Sequence, residues 1–67
     1  MQPVSKIRLK IYLRRECYVW LYKRGAGSVN FGWILGIQDG SRVVFKDDEQ
    51  PGTIVIAAEE IEGCGAV

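Results

Sequence analysis

The feature that most constrains the fold is an apolar run with two internal glycines, Gly32 and Gly36, in the stretch FGWILGIQDGSRVVF at residues 31–45. The strand predicted at residues 28–37 is long, and a long strand in a small barrel has to bend. Glycine inside a strand marks a bulge, a corner or a close backbone approach. We therefore expect both glycines to bend this strand so that it serves both sheets of a small closed barrel. The alternative is that they only make room beneath a tryptophan.

A chain of 67 residues forms one domain at most, which we predict to span residues 1–67. Its core alone is expected to supply only about 3–5 kcal/mol of stability, so a second source is needed. A metal is not expected, because there is no histidine and Cys17 and Cys64 form no CxxC-type ligand set. The start MQPVSKIRLK contains no apolar signal segment, so we expect reduced thiols, with a disulfide as the alternative. Oligomerisation is therefore the favoured stabiliser.

The remaining chain divides into short strand-like segments separated by turn residues. Residues 7–13 alternate apolar and polar side chains, which favours a strand, although Ile7 and Ile11 also share one face of a helix. The Asp39-Gly40 pair predicts a tight hairpin turn. Segments rich in β-branched and aromatic residues predict strands at 17–22, 28–37, 42–46, 53–58 and 59–64. Together these patterns indicate an all-β fold, a small barrel with an N-terminal strand or short helix.

The charged residues are distributed unevenly along the chain. Seven of the nine basic residues lie in the first 24 positions, and seven of the eight acidic residues lie from position 39 onward. If the fold keeps them apart, one surface is basic and another acidic; otherwise they pair across neighbouring strands. No apolar run approaches the roughly 20 residues that span a bilayer. We therefore expect a cytoplasmic protein without a membrane partner.

The sequence contains no recognisable set of catalytic residues. Histidine, the commonest general base, is absent, and the three serines have no partner motif. The acidic clusters at residues 47–49 and 59–60 lie beside turns or strand ends, where carboxylates are usually solvated. We predict a binding module, not an enzyme, with no cofactor and no small-molecule substrate.

The run GWILGIQDGSRVVF at residues 32–45 resembles the first motif of the Sm/LSm family, which includes bacterial Hfq. That motif reads glycine, x, apolar, x, glycine, aromatic or apolar, aspartate, three residues, asparagine and three apolar residues, and the spacing matches without a gap. Weaker likeness is found in LRRE at 13–16, VWLYKRG at 19–25 and TIVIAA at 53–58. The chain thus resembles a divergent Sm-like protein over residues 13–64.

The resemblance implies a strongly bent five-stranded Sm-like barrel of the SH3 type, assembled into a homo-oligomeric ring of about five to seven subunits. In such rings the fourth strand of one subunit pairs with the fifth strand of the next, which covers the free edges. The resemblance also implies that Cys17 and Cys64 approach each other on the neighbouring first and fifth strands, without necessarily bonding.

The function implied is binding of single-stranded RNA, or another nucleic acid, in RNA processing or regulation. The residues expected to contact nucleic acid are those of the central turn and a basic pair upstream: Gln38, Asp39, Gly40, Ser41, Arg42, Lys23 and Arg24. Exposed aromatic side chains suit stacking on bases, and Tyr18, Tyr22 and Trp33 are the candidates. A basic N-terminal stretch would follow the phosphate backbone.

The predicted pocket departs from the family pattern. Gln38 stands in place of aspartate, Arg42 in place of the base-reading asparagine, and Ser41 at a position that often stacks on a base. The arginine-glycine pair of the second motif is missing, and IAA at residues 56–58 fills that region. The altered pocket, near-neutral charge and acidic second half support an alternative function, a protein-interaction or assembly module on the same barrel without nucleic-acid binding.

Overall fold

The computed structural model describes residues 6–67, which form one short α-helix and one five-stranded antiparallel sheet. Positions 1–5, which include the start of the predicted domain, lie outside the described residues. The elements in chain order are α1 (Lys6–Arg14), β1 (Tyr18–Lys23), β2 (Asn30–Gln38), β3 (Arg42–Asp47), β4 (Ile54–Ala57), the 3-10 helix η1 (Ala58–Glu60) and β5 (Ile61–Ala66). The prediction of a small, mostly β fold with five strands is confirmed, and the strand order is β4-β3-β2-β1-β5.

The strand favoured for residues 7–13 is wrong, because this segment forms α1. The helix buries Leu9 and packs Tyr12 and Leu13 against the core, at the i, i+3, i+4 spacing of one helical face. Ile7 and Ile11, which the alternating pattern assigned to the buried face, are exposed. The apolar residues of this segment fit both the period of a strand and the period of a helix, and packing against the sheet stabilises the helix.

The helix ends at a residue in the left-handed conformation, Glu16, whose φ is 52°. The Glu16 N–H donates to the Leu13 carbonyl at 3.2 Å, and the Cys17 N–H donates to the Tyr12 carbonyl at 3.1 Å. This pair of bonds is the Schellman pattern, in which the left-handed position is usually a glycine.

No helix within residues 6–67 has the length and apolar character needed to cross a membrane.

The connection between β4 and β5 forces the sheet to curl, because these strands are its two edges. Ala57 pairs with Arg42 on β3, and Ile61 pairs with Lys23 on β1. The three residues of η1 between Ala57 and Ile61 let the chain reach at most about 14 Å. In a flat sheet the edge strands would lie four strand spacings apart, about 19 Å. The sheet is therefore curved toward a barrel, with its two edges close together at η1.

The core lies inside this curve and takes alternate residues from the strands. It is closed by Leu9 of α1 and contains no buried polar or charged residue in the described part of the chain. Its buried members are Leu9, Val19, Leu21, Ile34, Val43, Phe45, Ile56, Ala58, Ile61 and Cys64. Val19 and Leu21 point inward, two residues apart as the period of a strand requires, and β1 is interior to the sheet, between β2 and β5.

The two glycines of β2 have different structural roles. A Cβ on Gly32 would lie 2.0 Å from the backbone oxygen of Lys46, so only glycine permits this approach of β3 to β2. Gly36 lies where the β2–β3 register shifts, and a Cβ there would meet no atom within 4 Å. Gly32 thus marks a close backbone approach and Gly36 a bulge. The expectation that β2 serves two sheets is wrong, because all five strands form one continuous sheet.

The alternative role, a small residue beneath a tryptophan, occurs on β5 instead. A Cβ on Gly63 would lie 2.9 Å from the Trp20 ring, and one on Gly65 would lie 2.7 Å from its indole nitrogen. The Trp20 side chain therefore lies flat across the outer face of β5, where two missing side chains make room for it.

Both cysteines are free thiols. Cys64 is buried in the core and pairs with Leu21 of β1, whereas Cys17 precedes β1 and packs against the same core. The register therefore does not pair the two residues, and their close approach stays a prediction. Burial raises the pKa of the Cys64 thiol to about 11, which keeps it protonated and unreactive at neutral pH.

The contrast between the β2 glycines predicts unequal effects of the same substitution. We expect Gly32→Ala to lower the free energy of unfolding by about 3 kcal/mol or to prevent folding, because the added methyl group meets backbone that cannot rotate away. Gly36→Ala is the matched control and should change it by less than about 1 kcal/mol. Urea denaturation followed by circular dichroism measures both. Equal losses in the two variants would contradict this assignment.

Candidate nucleic-acid interface

The predicted hairpin turn lies between Gln38, which ends β2, and Arg42, which begins β3 and pairs with it. Asp39 and Gly40 have φ values of 51° and 71°, and the Ser41 N–H donates to the Gln38 carbonyl at 3.0 Å. Two consecutive positive φ angles are what Asp-Gly pairs provide in tight hairpins. The hairpin prediction is confirmed. Of residues 38–42, Ser41 is half-buried and the other four are exposed.

This turn is tied to η1 by backbone. The Ser41 carbonyl accepts a hydrogen bond from the Ala58 N–H at 2.7 Å. At the other end of η1, the Arg24 N–H donates to the Glu60 carbonyl at 2.8 Å. The three residues of η1 thus connect the turn after β2 to the turn after β1, which contains the predicted basic pair.

The two members of that basic pair are in different situations. The Arg24 guanidinium donates to the Glu59 carbonyl at 3.1 Å and forms a salt bridge with Glu62, also at 3.1 Å. It fastens the turn after β1 to η1 and β5, so its charge is largely committed within the chain. Lys23 is exposed at the end of β1. Within residues 6–67 Arg24–Glu62 is the sole salt bridge, so the uneven distribution of charge is not cancelled by cross-strand pairing.

A groove lies between α1 and the hairpin turn. It has a volume of about 480 Å³ and is lined by Lys10, Leu13, Arg14, Ile37 and Gly40, which we call the basic groove. Lys10 and Arg14 are one helical turn apart and both exposed. Their place in the groove was missed from sequence, because it follows only when residues 6–14 form a helix. The i, i+4 spacing of two basic residues was the available signal.

The aromatic side chains proposed for base stacking lie on the outer face of the sheet. The Tyr18 ring stacks on Phe31 at 6.2 Å between centroids and meets Trp33 at 5.2 Å. The Tyr18 hydroxyl donates to an Asp48 carboxylate oxygen, and this bond raises the pKa of Tyr18. Tyr18 thus faces the acidic turn after β3. Tyr22 is half-buried on β1.

The acidic turn, formed by Asp48 and Glu49 after β3, is held by Asp47, the last residue of that strand. Its carboxylate accepts hydrogen bonds from the Glu49 N–H at 2.8 Å and from the Asn30 side-chain amide at 2.9 Å. Both bonds favour the charged form and lower the pKa of Asp47 below its ordinary 3.8. Asp48 and Glu49 are exposed, and among residues 6–67 no three potential ligands of the His, Cys, Asp and Glu types come together to hold a metal ion.

Comparison of the chain with protein-family models, with curated proteins and with solved structures finds no match in any of the three.

The bonds to Asp47 predict how the turn responds to acid. Because the pKa of Asp47 is lower in the folded than in the unfolded state, these bonds stabilise the fold above about pH 4, and the stabilisation is lost as the pH falls through the folded value. We expect Asn30→Ala to raise the pKa of Asp47 toward 3.8, as measured by NMR titration of its carboxyl carbon. Gln50→Ala is the control in the same turn and should leave this pKa unchanged. An unchanged Asp47 pKa in Asn30→Ala would show that the amide bond is not formed.

Proposed function

We propose that the chain is a divergent Sm-like protein that forms a ring and binds single-stranded RNA, or another nucleic acid, without catalysing a reaction. The order of its elements supports this assignment: a helix, four strands, a 3-10 turn and a fifth strand that returns to pair with the first. The motif at residues 32–45 covers the bent β2 strand, the hairpin and β3, which is where the Sm-like pattern expects them.

The observation that carries the proposal is the basic groove beside the hairpin turn. Lys10 and Arg14 lie across the groove from Gly40, and the exposed Arg42 begins the strand that follows. Guanidinium and ammonium groups bind phosphate, and a guanidinium also stacks on bases. Ile37 adds an apolar surface for a base. Gln38 and Arg42 stand where the family pattern has aspartate and asparagine, so one negative charge is lost and one positive charge is gained beside Lys10 and Arg14, which favours backbone contacts over base reading.

The ring is supported by the two edges of the sheet. Within residues 6–67 β4 pairs only with β3 and β5 pairs only with β1, so each has one unpaired side. On β4 the side chains of Ile54 and Val55 are 49% and 57% exposed. An exposed apolar edge is a hazard unless another strand covers it. Pairing of β4 with β5 of a second copy covers both edges and adds the stability that so small a core lacks.

The groove predicts which arginine binds RNA. We expect Arg14→Ala to weaken the binding of a single-stranded RNA about five- to tenfold and to reduce the slope of log K against log salt by about 0.7 per lost phosphate contact. Arg15→Ala is the matched control: it is the same change at the next position, outside the groove. Fluorescence anisotropy with poly-U, poly-A and mixed RNA at several salt concentrations measures both.

Two outcomes would contradict this site. Equal losses for Arg14→Ala and Arg15→Ala would mean that RNA affinity depends only on the net charge of this part of the chain. No binding of any of the three RNAs at low salt would remove nucleic acid altogether. If the chain were still a ring, the assembly module on the same barrel would then be the remaining function.

The edge strands predict the effect of a charge placed between subunits. We expect light scattering to give the mass of several subunits for the natural chain and that of a monomer for Val55→Asp, because the buried carboxylate would have no partner in the β4–β5 contact. Ile11→Asp is the control, an exposed apolar residue on α1 that takes no part in the contact. A monomeric natural chain, or an intact ring of Val55→Asp, would contradict the proposed interface.

A further inference from the structure

A second surface of the chain has a composition unlike that of the basic groove. On the outer face of β2, Phe31, Trp33 and Leu35 are 42%, 37% and 53% exposed. Tyr18 of β1 joins them, since its ring contacts both Phe31 and Trp33. We call Tyr18, Phe31, Trp33 and Leu35 the aromatic strip. From Phe31 to Leu35 it follows the strand for about 13 Å.

Carboxylates stand at both ends of the aromatic strip. At one end Phe31 lines a cavity of about 150 Å³ together with Asp47, Asp48 and Glu49. This end is fixed in place, because the Asp48 N–H donates to the Phe31 carbonyl at 3.0 Å and the Asp48 carboxylate accepts the Tyr18 hydroxyl.

At the other end Trp33 and Leu35 line a cavity of about 260 Å³ with Leu13 and Glu16. The left-handed conformation of Glu16 ends α1 at this cavity. The aromatic strip is thus an apolar surface that spans five residues of β2 and has carboxylates at each end.

A basic residue, Lys46, lies beside the strip, and its ammonium group is held by carbonyl groups of the chain. Lys46 pairs across the sheet from Trp33, and its ammonium group donates to the carbonyls of Asp47 at 2.8 Å and Gln50 at 2.6 Å. None of the carboxylates at residues 16 and 47–49 forms a salt bridge with the described part of the chain. Lys46 and the exposed Arg15, next to Glu16 in sequence, offset part of this charge, and the four carboxylates leave the surroundings of the strip with a net negative charge.

We infer that the aromatic strip binds an extended cationic segment of a partner protein, with two arginines about four residues apart and apolar residues between them. One guanidinium pairs with the carboxylates at Asp48 and Glu49, and the other reaches Glu16. The planar guanidinium groups also stack on the faces of Phe31 and Trp33, a contact that strengthens as water is excluded. The apolar residues between them cover Leu35 and the ring edges.

Arginine peptide is favoured over RNA on this face because of charge. Exposed rings alone would suit stacked bases. An RNA strand long enough to use them would place its phosphates among the carboxylates at both ends, which outnumber the basic residues Lys46 and Arg15 beside them. The end of α1 separates the two surfaces, with Arg14 lining the basic groove and Glu16 the aromatic strip. The inference does not depend on the proposed RNA binding.

The test uses a short synthetic peptide with two arginines spaced about four positions apart and leucine and alanine between them, and the same peptide with citrulline, a neutral isostere of arginine. Nitrogen-15 NMR of the full chain follows the indole N–H signals of both tryptophans. We expect saturable binding that shifts the Trp33 signal more than the Trp20 signal, and affinity for the citrulline peptide at least about tenfold lower.

Matched variants separate the strip from general electrostatics. Asp48→Asn and Trp33→Ala should each weaken binding about three- to tenfold. Asp39→Asn, the same substitution in the hairpin turn at the opposite end of β3 from Asp48, should leave it unchanged. Urea denaturation checks that each variant is folded, which the exposure of these side chains leads us to expect.

Several results would overturn the inference. These are the absence of saturable binding, equal affinity for the citrulline peptide, and equal losses in Asp48→Asn and Asp39→Asn. A larger Trp33 shift with poly-U or poly-A than with the peptide would assign the strip to RNA. A Trp33 shift that depends on protein concentration without peptide would assign it to a second copy of the chain.

Discussion

The structure depends on the short connection η1, because three residues join strands at opposite edges of the sheet. Because this connection is short, the five strands cannot form a flat sheet. The resulting curvature encloses the core, in which Phe45, Leu21 and Ile61 are buried. Backbone bonds from Ser41 and Arg24 hold the connection at its two ends. The same contacts that curve the sheet therefore also set the position of the hairpin turn next to α1.

Much of the β architecture is readable from the sequence because its signals are local and steric. Glycines inside a long apolar strand indicated a bulge or a close backbone approach, which the structure shows at Gly36 and Gly32, and Asp39-Gly40 indicated a hairpin because this pair tolerates positive φ. The alternating faces of β1 follow from the period of a strand. These elements need no knowledge of the partner strand, so sequence reasoning found them.

The features that depend on strand register and on packing could not be predicted from the sequence. Residues 7–13 fit both a strand and a helix, and only contact with the core through Leu9 and Leu13 selects the helix. The groove residues Lys10 and Arg14 were missed for the same reason. The register that sets Cys64 opposite Leu21 likewise depends on the pairing of distant strands. Glu16 carries no sequence sign of its left-handed turn, because that conformation normally belongs to glycine.

The pairing of β5 with β1 has a consequence for how the chain reaches this structure. One edge of residues 18–23 is covered only when residues 61–66 pair with it. Until then the backbone N–H and C=O groups that will bond to β5 are exposed to water and to other chains. Contacts so distant in sequence close slowly, since the loop entropy must be overcome before they form. Newly made chains are therefore expected to be vulnerable to chaperone capture and to aggregation until the last strand arrives, and the docking of the Trp20 ring over the glycines of β5 marks the end of that interval.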